Sequence, residues 1–164
     1  MELSLLHPYK TAKLENNSGY YFDTEHGIRY TYWYVAVNHA DDSSHLYELI
    51  YEFGFGNNLP EGKIPPYDTR VRDTIIKALY DFFSKNQDRV IYYTCENIDG
   101  KDRSRSIVFN RWIRPHKNTF EKKDINLAEI GLYSFSVIHK NNQYKKEVYE
   151  LIKDRREEYI NLKF

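Results

Sequence analysis

The segment from Thr69 to Lys85 constrains the fold most, because its apolar residues recur at the spacing of one helical face. Asp68 precedes the segment at the position of an N-cap, and Asn86 fits its end. The pattern predicts an amphipathic helix that buries its apolar stripe against the rest of the protein. The stripe is formed by Val71, Ile75, Leu79 and Phe82, widened by Ile76 and Phe83.

Short runs of aromatic and β-branched residues lie on both sides of this helix and predict strands. The predicted strands are 20–24, 28–37, 45–55, 90–96 and about 130–139. Two further helices are predicted, at about 102–114 and over the last twenty residues. The order β-β-β-α-β-α-β-α indicates an α+β protein with a single antiparallel or mixed sheet of about five strands and helices mainly on one face.

Three local patterns assign faces and turns. Gly27 stands in the connection between the first two strands, where a positive φ is needed. In the strand at 45–55, alternation places on the core side Tyr47, Leu49, Tyr51, Phe53 and Phe55. In the helix at 102–114, the spacing places on the core side Val108, Phe109, Trp112 and Ile113.

The length of 164 residues fits one domain, 1–164, in which we expect residues 1–18 to be a loosely ordered lead-in. The single cysteine, Cys95, excludes an internal disulfide and is typical of the reducing cytosol. The N-terminus lacks the basic and apolar regions of a signal peptide, and no stretch approaches the roughly 18 apolar residues of a spanning helix. We therefore predict a soluble, cytoplasmic protein with no membrane partner.

The charges sum to zero, but they are unevenly distributed. The segment 38–62 has five acidic residues and no Lys or Arg, whereas 101–117 has six basic residues and one acidic residue. The balance argues against a general nucleic-acid or anionic-membrane binder. The two segments pair within the chain, face two separate partners, or face other copies of the same chain.

The basic helix is the candidate binding site for an anion or an acidic partner. Its arginines are suited to phosphates and carboxylates because each guanidinium donates paired hydrogen bonds from a plane. Asp99 precedes the helix, whose N-terminus is itself favourable to anions, and His116 follows it as a candidate acid–base or phosphate ligand. The alternative is a solvated helix whose arginines pair with the acidic segment. The candidate residues are Arg103, Arg105, Arg111, Arg114, His116 and Asp99.

No catalytic, nucleotide-binding or metal motif is present in the sequence. The segment HADDSSH at 39–45 has metal-capable residue types without a known ligand spacing, so we interpret it as a turn. Cys95, near the end of an apolar strand, is interpreted as a buried structural residue; a nucleophile would need a neighbour that stabilises the thiolate. We therefore predict no cofactor and no metal.

The stretch from 68 to 113 resembles an uncharacterised bacterial family catalogued only as a domain of unknown function. The resemblance also extends to FDTEHGIRYTYWY at 22–34, to YEFGF at 51–55 and to the Asn-Asn-x-Tyr before the last helix. It implies no activity, and it identifies 95–112 as a unit worth testing. The residues that carry it are Phe82, Phe83, Cys95, Asp99, Gly100, Arg105, Phe109, Arg111 and Trp112.

Three functional hypotheses fit these features. The first is a small interaction or regulatory protein that binds another protein. An immunity, antitoxin-like or phage–host conflict role belongs to this hypothesis, although no residue of the sequence indicates it. The second is an RNA- or nucleotide-binding module that uses the basic helix, with tyrosines stacking on bases. The third is an enzyme of phosphoryl or nucleic-acid chemistry built around Asp99, His116 and the arginines. A homodimer through an uncovered sheet edge or the last helix is compatible with all three.

Overall fold

The computed structural model describes residues 3–37, 45–95, 102–127 and 132–163. These residues form one mixed sheet in the order β1-β2-β3-β4-β5-β7-β6, together with three α-helices. The strands are β1 (Ala12–Lys13), β2 (Tyr20–Asp23), β3 (Arg29–Ala36), β4 (Ile50–Asn57), β5 (Val90–Cys95), β6 (Phe120–Leu127) and β7 (Leu132–His139). The helices are α1 (Thr69–Lys85), α2 (Asp102–Ile113) and α3 (Lys145–Lys163).

The α+β class and the mixed sheet are confirmed, but the described residues form seven strands and not about five. The sequence did not predict β1, which has two residues, or β6, which has eight. β6 is an edge strand in which four charged residues, 121–124, follow Phe120, and such residues protect an exposed edge while concealing the apolar alternation of a strand. The predicted strand at 45–55 is also shorter, because residues His45–Leu49 form a 3-10 helix.

The described residues group into two compact units. The first contains the chain up to Val35 together with Phe53–Lys85, and the second contains Ala36–Glu52 together with the chain from Asn86 onward. The prediction of a single domain stays a prediction.

In the first unit, Tyr34 of β3 joins the sheet to α1. Its ring stacks on Phe82 with centroids 4.4 Å apart, and its hydroxyl donates to the Ala78 carbonyl at 3.1 Å. The same ring lies 5.2 Å from that of Phe53 in β4. Burial raises the pKa of the Tyr34 hydroxyl well above its usual value, so this group remains a donor at any physiological pH.

The N-terminal segment, predicted as a loosely ordered lead-in, is instead tied to α1. The His7 amide donates to the Asp73 carboxylate at 3.0 Å, and the Tyr9 amide donates to the Thr74 hydroxyl at 2.8 Å. Tyr9 is buried, and its ring lies 5.8 Å from that of Phe22. These contacts join residues more than sixty positions apart, so no local pattern reveals them.

In the second unit, α2 and α3 lie on opposite faces of the sheet. Val90 of β5 pairs with Ile138 of β7, and both pack in a buried cluster with Val148 of α3. Tyr93, three residues after Val90, points to the other face, since successive side chains of a strand alternate. There its ring stacks at 5.9 Å on Phe109 of α2. The expectation of helices mainly on one face concerned all three helices and stays a prediction.

None of the described helices is both long enough and apolar enough to span a bilayer.

We predict that Gly54→Ala lowers the free energy of unfolding by about 1–3 kcal/mol, the range for an overpacked site. A Cβ at Gly54 would overlap the indole of Trp33, which lies across it from β3. Urea denaturation measures the loss, and Gly56→Ala is the matched control, because a Cβ there meets nothing within 4 Å. The loss should largely vanish in a Trp33→Ala background. An equal loss in both backgrounds would contradict this packing.

Candidate functional site

Helix α2, which carries the candidate site, is held against the sheet by its buried side. The ring of Phe109 lies 4.8 Å from that of Phe135 in β7, and Phe109 and Ile113 are both buried. These residues are four positions apart and therefore share one side of the helix. The buried side of α2 is thus fixed by an aromatic contact with β7, the strand next to the edge strand β6.

The opposite side of α2 is exposed and combines aliphatic and basic residues. Ile107 and Val108 are 48% and 40% exposed, and Arg111, Arg114 and Lys117 are also exposed. Positions 107, 111 and 114 are separated by four and three residues, so they form one stripe along the helix. We call these five residues the α2 outer surface. The prediction that Val108 faces the core is wrong, because the buried stripe is narrow and runs through Phe109, Ile113 and His116.

The arginines of this surface have no acidic partner among the described residues. Arg111 and Arg114 form no ion pair there, although Glu48 and Glu52 of the acidic segment belong to the same unit and are exposed. Asp41 and Asp42 lie outside the described residues. Other cations of the protein do pair with carboxylates, for example Arg29 with Asp23, Lys77 with Asp81 and Lys145 with Glu121.

His116 lies in a 3-10 turn, Arg114–His116, that continues α2 beyond Pro115. The residue is only 4% exposed, on the same side as Phe109 and Ile113. His116 is therefore shielded from solvent, whereas Arg111 and Arg114 are exposed.

The other predicted site residues cannot be placed in the same way. Arg103 and Arg105 belong to the first turns of α2, but their side chains lie outside the described residues. Asp99 lies outside them altogether, and so does the side chain of Cys95 at the end of β5. The enzyme hypothesis, which needs Asp99 beside His116, stays untested.

One group of metal-capable side chains appears in the first unit. Ligand atoms of Glu25, His26 and Asp68 all lie within 4.8 Å of one another. The Tyr9 hydroxyl brings the two segments together, because it donates to Asp68 Oδ2 at 2.7 Å and accepts from the Glu25 amide at 3.2 Å. Burial and the bond to Asp68 raise the pKa of Tyr9, which keeps the donor proton in place.

The chemistry of this group argues against a bound cation. Asp68 Oδ1 accepts from the Arg70 amide at 2.9 Å, which confirms the predicted N-cap of α1. Both oxygens of this carboxylate are therefore already engaged. The positive end of a helix dipole is also unfavourable to a metal ion. We interpret the group as a set of structural contacts that connect the hairpin turn to the N-terminus of α1. The sequence did not reveal it, since Asp68 is distant in the chain from Glu25 and His26.

Comparison with known proteins identifies a family without assigning an activity. The model of DUF6169, described as a family of unknown function, matches residues 67–154, which is more than half of the chain. No curated protein and no solved structure matches the chain. The matched range contains the stretch from 68 to 113, so the resemblance to a family of unknown function is confirmed. The motifs at 22–34 and 51–55 lie outside it.

We predict that Phe109→Ala lowers the free energy of unfolding by about 3–5 kcal/mol, because it leaves a cavity beneath α2. Val108→Ala is the matched control from the exposed side and should cost less than about 0.5 kcal/mol. Denaturant titration followed by circular dichroism measures both values. Comparable losses in the two variants would mean that α2 is rotated relative to this description.

Proposed function

This chain belongs to DUF6169, a family of unknown function, and we propose that it is a small interaction protein that binds an acidic protein partner through the α2 outer surface. The name of the family carries no activity, so the proposal rests on the residues of this chain. The single cysteine favours a cytoplasmic setting for the role.

The observation that carries the proposal is the unpaired charge on α2. Arg111 and Arg114 stand exposed without an acidic partner among the described residues, in a chain whose basic and acidic residues are equal in number. Arginine loses little hydration when it enters an interface, and its fork matches a carboxylate. An acidic surface on another protein would supply the carboxylates that these arginines lack among the described residues.

The aliphatic residues beside the arginines favour a protein as the partner. Ile107 and Val108 present exposed apolar surface on the same side of α2 as Arg111. Arginine next to desolvated apolar groups is typical of the centre of protein–protein interfaces. A surface for single-stranded nucleic acid would instead place aromatic rings beside its cations, to stack on the bases.

A helix-dipole role for the arginines accounts for only part of this arrangement. Cations in the last turn of a helix contribute about 0.3–1 kcal/mol through the dipole, and Arg111 is such a residue. That role does not explain why Ile107 and Val108 remain uncovered at the other end of the stripe. A binding surface explains both features.

We predict that the partner is lost when the two exposed arginines are reversed in charge. The experiment is an affinity capture from native cytosol with wild-type protein and with Arg111→Glu/Arg114→Glu as baits. A variant with Lys10→Glu/Lys63→Glu carries the same change of net charge at exposed positions of the first unit and is the matched control. Wild type and the control should retain the same acidic protein, and the arginine variant should not.

Two further treatments separate the classes of partner. Nuclease digestion should leave the captured protein bound, and Ile107→Ser should weaken capture without any change of charge. Material that nuclease removes, with a steep salt dependence of its binding, would identify a nucleic acid and contradict the proposal. Equal capture by all baits would show that the α2 outer surface binds nothing.

A further inference from the structure

A cleft lies between β6 and α3 in the second unit, on the face of the sheet that α3 covers. Its volume is about 390 Å³, within the usual range for small-molecule sites. Sequence reasoning did not find it, because its two walls come from elements separated in the chain and β6 was not predicted. Its lining consists of Lys123, Asp124, Lys146, Tyr149, Glu150, Ile152 and Lys153.

The cleft has an organised aromatic wall. The Tyr149 ring is half-buried, and the ammonium of Lys123 lies 4.3 Å from its centroid. The Tyr149 hydroxyl donates to Glu121 Oε1 at 3.2 Å, which fixes the orientation of the ring. Burial and the neighbouring Glu121 raise the pKa of Tyr149, so the hydroxyl keeps the proton that it donates. Ile152 lies half-buried next to this ring and adds apolar surface.

The charges around the cleft favour an anion. The Glu121 carboxylate forms an ion pair with Lys145 at 2.5 Å, and the Asp124 carboxylate forms one with Lys122. The three lysines of the lining, in contrast, form no ion pair among the described residues, although Lys123 lies over the Tyr149 ring and interacts electrostatically with Glu121. They are Lys123, Lys146 and Lys153.

Glu150 is the one carboxylate of the lining without a cation partner in the described parts of the chain. Lys146, Glu150 and Lys153 are spaced by four and three residues, so they share one side of α3 and face the same ligand. Three ammonium groups therefore stand against a single uncompensated carboxylate, and a ligand that enters the cleft meets a net positive charge.

We propose that this cleft binds a small phosphate ester with a flat organic group, such as a nucleoside monophosphate. Ammonium groups act as point charges that suit a phosphate, and here they surround it from both walls. The Tyr149 ring and Ile152 offer apolar surface to the organic part. The inference is independent of the partner proposed for α2, since it uses none of the residues of the α2 outer surface.

The test is calorimetric titration of the full chain with adenosine monophosphate, with adenosine and inorganic phosphate as separate probes. Wild type should bind the monophosphate saturably, adenosine at least about tenfold more weakly, and inorganic phosphate should compete. Lys146→Gln/Lys153→Gln should weaken binding of the monophosphate about tenfold, because two positive charges facing the phosphate are lost. Lys10→Gln/Lys63→Gln, at two exposed positions of the first unit, carries the same change of net charge and should leave binding within about twofold of wild type.

Glu150→Gln tests the same site in the opposite direction. It removes the uncompensated carboxylate and should tighten binding of the monophosphate about two- to threefold, a gain that a misfolded variant cannot produce.

Four outcomes would overturn the proposal. The first is no saturation by the monophosphate up to roughly 10 mM, which leaves no useful affinity. The second is equal binding of adenosine, which would assign the affinity to the apolar wall alone. The third is an equal effect of the two lysine pairs, which would make the attraction non-specific. The fourth is an RNA oligonucleotide that binds far more tightly than the monophosphate and is lost in the Lys146/Lys153 variant, which would make the cleft part of a polymer site.

Discussion

The contact between the rings of Phe109 and Phe135 determines which side of α2 meets the solvent. Phe135 is fully buried in β7, so the helix that docks on it is held against the sheet at this strand. Once Phe109 points inward, helical geometry turns Ile107, Arg111 and Arg114 outward. The α2 outer surface is therefore a consequence of core packing.

The alternation of side chains in β5 and β7 places one helix of the second unit on each face of the sheet. The face that carries Phe135 holds α2, and the face that carries Ile138 holds α3 through Val148. β6, paired with β7 along its whole length, extends the second face and supplies the wall opposite α3. Each face thereby combines a buried apolar base with cations above it. We infer that one neutral chain presents two separate anion-binding surfaces, one for a macromolecule and one for a small molecule.

Local signals were sufficient where the structure itself is local. The apolar stripe and the Asp68 cap predicted both ends of α1, Thr69 and Lys85, and the positive φ of Gly27 was expected from its hairpin. The failures concern long-range contacts and edges: the charged residues of β6 conceal a strand, and the Tyr9 hydroxyl bonds residues far apart in the chain. The prediction placed Val108 on the buried side of α2, but its neighbour Phe109 fits the same helical spacing and is the residue that packs against the sheet. The arginines of α2 were evident from the local concentration of basic residues. The cleft was not predictable, because it depends on the pairing of β6 with β7 and no short stretch of sequence reveals that pairing.

One side of α2 is packed against the sheet, and the other is open to a partner. The rate of maleimide labelling distinguishes the two sides when single cysteines are placed at Ile107, Arg111, Arg114 or Ile113, in a chain that carries Cys95→Ser. We predict fast labelling at the first three positions, slowed when the captured partner is added, and slow labelling at Ile113 throughout. Similar rates at all four positions, or rates at 107, 111 and 114 that the partner does not change, would contradict this arrangement.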